Sequence, residues 1–370
     1  MGYRRFSVAN WLENLYNMNG YSLDTFFLIG DVVMGYRVLS QYRSELMGFA
    51  MLWVMLFHSF DLDLSLPLLN GIRRAGFGGV DIFILLSAMG LVVSLLKEEQ
   101  EYAAFMARRA GRILPAYFVV MLPYTLLLIL TQDAPWSALF FNSTLLYYWV
   151  RCAGAFNWYI AGAMTFYAVT PFCFRRWRAS RHRTRLTAGC VAGAFALCQL
   201  LISDGYWNYM DIFYRVPIFF VGLLMGFYVR EDRKIGGTDL LFWVCWLVLG
   251  CIYLPVSILK EWDAWPVKFP LCLLFLFTTV PMCLVICFCF ERLPLGWLRR
   301  FLRKIGDTSL EIYLLNVSFF SQTELLRRFL SFGPTNRLYY LIIYILNIAL
   351  GLLLHKLVEG LRARRHLAAR

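Results

Sequence analysis

Apolar runs recur along the whole chain, broken only by short polar stretches rich in arginine. Within each run almost every position is apolar. That is neither the alternation of a half-buried strand nor the one-sided stripe of a surface helix, but the pattern of a helix in apolar surroundings on all sides. Runs of roughly 18 to 22 residues suffice to cross a hydrocarbon layer of about 30 Å at about 1.5 Å per residue. The pattern predicts about ten transmembrane helices, near 47–64, 78–96, 113–131, 155–174, 187–203, 212–229, 239–258, 270–290, 308–322 and 338–357. Trp136 to Val150 is apolar but short and follows Pro135, so it reads as an outer loop or re-entrant piece. With no repeat and no low-complexity linker, the expectation is one all-α polytopic bundle over 47–358, between a lead, 1–46, and a basic tail, 359–370.

Composition excludes a soluble globule, because 60% hydrophobic against 16% charged residues cannot supply a polar surface. Residues 1–42 carry Arg4, Arg5, Glu13, Asp24, Asp31 and Arg37 around a short apolar patch, Thr25 to Gly30, which reads as a cytoplasmic lead rather than a signal peptide. Met1 and Met34 both stand as possible starts. About three quarters of the 36 Lys and Arg fall in the lead, the even-numbered loops and the tail, which predicts that both termini are cytoplasmic. The formal charge of +13 therefore points to membrane lipids as partners and not to nucleic acid. The ten cysteines form no pair of metal-spaced CxxC motifs; they read as free thiols packed as small hydrophobes, and no metal is expected.

Chemistry is to be sought among polar groups within the spans, since each is costly in hydrocarbon. His58 is the only histidine placed well inside a predicted span. It reads as a structural hydrogen-bonding group or as a general base able to take a proton from a hydroxyl. Asp81 and Ser87 enter the second span within Gly79-Val80-Asp81-Ile82-Phe83-Ile84-Leu85-Leu86-Ser87, where an N-cap and a helix-backbone bond are the plain alternatives to a site. Arg108, Arg109 and Arg112, spaced three and four apart, fit the phosphates of a nucleotide-bearing donor or a row of lipid headgroups.

These pieces, in this order, resemble the acyltransferase 3 family of membrane acyltransferases. Met47 to His58 is similar to its R-x10-H first span in all but the arginine. Gly79 to Ser87 resembles its GVD-F-x-x-x-S segment, and Arg108 to Tyr117 its RRxxRI-x-P-x-Y element. Asn157-Trp158-Tyr159-Ile160 with Tyr167 and Pro171 looks like its W-x8-Y-x3-P span. Arg215 to Gly222 looks like R-x-P-x-F-x-x-G, and Ser309-Leu310-Glu311-Ile312-Tyr313-Leu314-Leu315 is similar to SLEIYLLH, ending here in Asn316. The family arginine falls on Met47, about 16 Å along a helix from His58 and on the same face. Arg43, one turn earlier and roughly 60° around the helix from His58, is the candidate replacement.

The resemblance implies a multi-pass protein of the bacterial inner or plasma membrane. It implies an enzyme transferring groups other than amino-acyl groups, most directly an O-acetyltransferase. Acetyl-CoA or another acyl-CoA would be donor substrate rather than bound cofactor, and the acceptor a hydroxyl of an exopolysaccharide or other cell-envelope glycan. On that reading His58 is the base or acyl relay, and Asp81 orients it. Arg108, Arg109, Arg112 and Arg43 hold the donor, and Trp158, Tyr159 and Arg215 lie on the acceptor side, with a polysaccharide biosynthesis or export complex as partner. The alternative left open by Met47 is a non-enzymatic export or accessory membrane protein for the polysaccharide. The ordered motifs do not resemble the unrelated membrane-bound O-acyltransferases of the His/Asn type.

Overall fold

The computed structural model describes residues 34–151, 156–259, 270–320 and 337–368. Most of the expected lead, residues 1–33, lies outside the described residues, as do parts of the connections expected after 151, 259 and 320. What is described is helical, with a single isolated β-bridge between Gly35 and Lys234. The main helices are α1 (Arg43–Phe57), α2 (Gly79–Lys97), α3 (Tyr102–Gln132), α4 (Trp158–Ala179), α5 (Arg183–Ser203) and α6 (Val216–Arg230). They continue with α7 (Gly237–Leu259), α8 (Pro270–Arg292), α9 (Gly296–Asp307), α10 (Ser309–Leu315) and α11 (Arg337–Ala368). Among the described residues, 6 helical stretches are long and apolar enough to cross a membrane, and Gly237–Tyr253 and Ser309–Phe320 are shorter apolar helices.

Two boundaries depart from expectation in ways that matter for the site. α1 stops at Phe57 instead of continuing toward residue 64, so His58 caps the helix and is not buried midway along it. Asp61, Asp63 and Ser65 supply local alternatives to the helical ladder: Asp63 Oδ1 accepts from Asn70 Nδ2 at 2.7 Å and from the Ser65 N–H at 3.0 Å. Those bonds, Asn70 first, hold the Asp63 carboxyl below its ordinary range. The α3 helix begins a full eleven residues before its predicted apolar run, so all three arginines of the RRxxR element ride on it. It ends at Asp133, which adopts a left-handed conformation with φ 52°. Trp136 to Val150 folds as short helices, Ser137–Ser143 and Tyr147–Arg151, neither long enough to cross.

The centre of the bundle is built by backbone approach at glycines, the usual device where lipid removes the hydrophobic drive between helices. On α6, Gly222 and Gly226 lie against the Leu85 and Met89 carbonyls of α2, and Gly79 at the start of α2 lies against the Ala50 carbonyl of α1. α9, with its apolar positions Leu302 and Ile305 buried and Trp297, Arg300 and Lys304 exposed, rests on α1 through Gly306 and Gly48. Its amphipathic pattern was legible only as a basic loop, because it is too short and too charged to read as a span. α10 continues into a π turn, Asn316–Phe320, and packs against α11, which runs past its predicted end near 357 to Ala368.

Candidate functional site

Both ends of α1 carry polar chemistry. Arg43 opens the helix and His58 caps it, fifteen residues or about 22 Å apart. At the Arg43 end a cavity of about 70 Å³ is lined by Arg43, Met47, Ser87, Arg112, Tyr159 and Tyr167, among others. The Arg43 side chain crosses to α2, where its Nε donates to the Leu86 carbonyl at 3.3 Å. Thus the cavity has a cation on the α1 side although Met47 occupies the position of the family's arginine.

The three arginines of α3 do not converge. Only Arg112 lines this cavity; Arg109 donates to Ser94 Oγ at 3.2 Å and lies over the Phe105 ring, and Arg108 pairs in the open with Glu98 at 3.6 Å. Helical geometry explains the spread, since Arg108 and Arg109 flank Arg112 by roughly 40° and 60° on opposite sides.

At the other end, the His58 ring sits edge-on to Phe57 and Phe60. The polar groups beside it are the Val54 carbonyl and the Asn316 side chain from the π turn, while Nδ1 has no hydrogen-bond partner among the described residues. The next residue is fixed: Ser59 hydrogen-bonds Tyr344 of α11, and its carbonyl accepts from the buried Arg73 at 3.0 Å.

Asp81 was expected to orient His58, but the partner the fold gives it is Arg215, at 3.5 Å between Nε and Oδ2 with both side chains buried. Arg215, at the N-cap of α6, also donates to the Asp211 carbonyl at 2.6 Å and stacks over the Trp158 ring at 4.9 Å. Asp81 and Arg215, both buried, and the half-buried Trp158 therefore join α2, α6 and α4 in one stack. Tyr159 meets the edge of this group through the Trp158 ring, also contacts Phe83 and Tyr313, and lines the Arg43 cavity.

Two features escaped sequence reasoning. Asn157 donates to the Tyr117 hydroxyl at 2.8 Å, and Tyr117 donates to the Asn142 carbonyl at 2.8 Å, so the short helices after α3 fix the start of α4 and with it Trp158 and Tyr159. The second is Asn316 at the imidazole, which the sequence offered only as the residue ending a SLEIYLL segment.

Apolar helices of spanning length around buried charges and polar groups define a multi-pass membrane protein. The family model described as "Acyltransferase domain" of the acyltransferase 3 type matches residues 46–356, and the chain belongs to that family. No curated protein and no solved structure matches it. A membrane acyltransferase is therefore the class of activity.

Proposed function

We propose that the protein is an O-acyltransferase, most directly an O-acetyltransferase, moving an acyl group from acetyl-CoA or another acyl-CoA to a hydroxyl of an exopolysaccharide or other cell-envelope glycan. On this reading ten spans cross a bacterial inner or plasma membrane with both termini cytoplasmic, so that the Arg43 end of α1 meets the donor. The observation that carries it is the cavity shared by Arg43 and Arg112, because two cations beside the Tyr159 and Tyr167 rings suit the phosphates of a CoA. The acceptor hydroxyl lies at His58. His58 takes its proton as the oxygen attacks the thioester carbonyl; the C–O bond forms, the C–S bond breaks and the CoA thiolate leaves. Asp81, paired with Arg215, positions α2 and α6 and does not itself serve the imidazole.

The deciding experiment is NMR of O-acyl groups on surface glycans from cells lacking the gene, complemented with wild type or His58→Ala at equal expression. Loss on deletion, restored by wild type alone, supports the transferase. Normal acylation of a polymer that fails to reach the surface replaces it with an export role.

A further inference from the structure

Among the buried polar atoms that find no hydrogen-bond partner among the described residues are Nδ1 of His58, Oδ1 of Asn316, and both Nδ2 and Oδ1 of Asn347 on α11. Asn316 and Asn347 are 2% and 0% exposed. The register of α10 against α11 brings the two asparagines level. His355 Nδ1 is 3.1 Å from Glu311 Oε1, and one turn along α11 Gly351 packs on Ile312 of α10. One further turn in each direction reaches Asn347 and Asn316. Tyr344, one turn beyond Asn347 on the same face, hydrogen-bonds Ser59, the neighbour of His58. Asn347 is thus bracketed by contacts that hold α11 to both α10 and the His58 cap.

Leaving an amide buried with neither its donor nor its acceptor used is costly, and such groups are rare in folded proteins. Among the described residues Asn347 is such a group, and Asn316 and His58 each add one unpaired atom; within a membrane protein groups of this kind face a cavity or a ligand. Each amide offers one neutral donor group and one neutral acceptor. The matching ligand chemistry is likewise neutral and able both to donate and to accept, as a hydroxyl does; an anion would use only half of each amide.

We propose that Asn316 and Asn347 form a polyol-binding subsite beside His58, holding the hydroxyls that flank the one to be acylated. The subsite rests on the proposed function for its place in the reaction, but its occupancy is measured without turnover. The probe is a set of oligosaccharides released from the host's surface glycan and stripped of O-acyl groups, titrated against purified full-length protein with no donor present.

Asn347→Leu keeps the heavy-atom count and the branching at Cγ and removes both polar atoms. It should weaken oligosaccharide binding about tenfold, the loss of two neutral hydrogen bonds. Its melting temperature should stay level or rise, because an apolar isostere relieves the unpaired amide. Asn316→Leu should act in the same direction, and the double variant should lose less than the product of the two. Asn347→Ala is the second variant should Leu crowd the site. Wild-type affinity in the folded Leu or Ala variant overturns the subsite, as does absence of oligosaccharide binding by wild type. Binding that depends on Asn347 in a protein that transfers no acyl group keeps the subsite and removes the transferase reading.

Discussion

Nε of Arg43 donates to the carbonyl oxygen of Leu86 at 3.3 Å, which carries the guanidinium from the first turn of α1 across to α2 and into the cavity beside Met47. A cation displaced by one helical turn thereby reaches the space that the family's arginine would occupy from position 47. Arg43→Gln should raise the apparent KM for the acyl donor by about tenfold or more, a loss of at least one charge-assisted contact to phosphate. Installing Met47→Arg in that background should restore much of the loss. Donor kinetics of Arg43→Gln equal to wild type would remove Arg43 from the donor site.

The α3 arginines should separate under the same assay. Arg112 lines the cavity, so Arg112→Gln is expected to raise donor KM more than it lowers kcat. Arg108 is half-exposed and paired only with exposed Glu98, and Arg108→Gln should change donor KM less than about twofold, as surface ion pairs contribute little. Equal effects at the two positions would mean that the donor spans the full helix face.

The Asp81–Arg215 pair makes a stability prediction independent of activity. Asp81→Asn leaves the buried Arg215 charge with the Asp211 carbonyl, the Trp158 ring and the more distant Asp211 carboxylate, and should destabilise the folded protein by about 1–3 kcal/mol. Replacing both, with Asp81→Asn and Arg215→Met, should recover most of that loss, because the penalty belongs to the unpaired charge. Melting of the purified single and double variants in one detergent measures it; additive losses would show that the pair is not coupled.

The helical membrane architecture was legible because lipid imposes a strong rule: spans are apolar all round, and polar residues within them stand out; the family was legible in the ordered motifs. The sequence marked His58 and Asp81 for this reason, and Arg215 and Trp158 through their resemblance to the family's motifs. What it could not supply was pairing. Asp81 lies in a motif that suggested service to His58, yet the N-cap of α6, far away in sequence, brings Arg215 to it. Asn347 sat unremarked in an apolar run, and Asn316 stood out only as the end of the SLEIYLL segment, because their significance depends on the antiparallel register of α10 and α11, which no local pattern encodes. The end of α1 was misplaced because Leu62, Leu64 and Leu66 continue the apolar signal while the aspartates and serine between them turn the backbone away from a helix.

α9 is fastened to the start of α1 by both charge and close approach, and this junction sets where Arg43 points. Arg303 donates from Nε and Nη2 to a single oxygen of Glu45, at 3.2 and 2.7 Å, with the carboxylate buried; Ser44 Oγ donates to Asp307 at 2.6 Å. Between these bonds Gly306 faces the Ser44 carbonyl, and a Cβ there would overlap it. The obstruction is backbone, so it cannot swing aside as a long side chain would. Gly306→Ala should therefore separate α9 from α1, with a stability loss of about 1–3 kcal/mol, the range for overpacking a close contact. Because Ser44 adjoins Arg43, the same variant should raise donor KM although residue 306 does not line the cavity. Gly189→Ala on α5, where an added methyl meets nothing, is the control and should match wild type in both measurements. Loss of stability in Gly306→Ala with unchanged donor KM would show that α9 supports the fold without positioning Arg43.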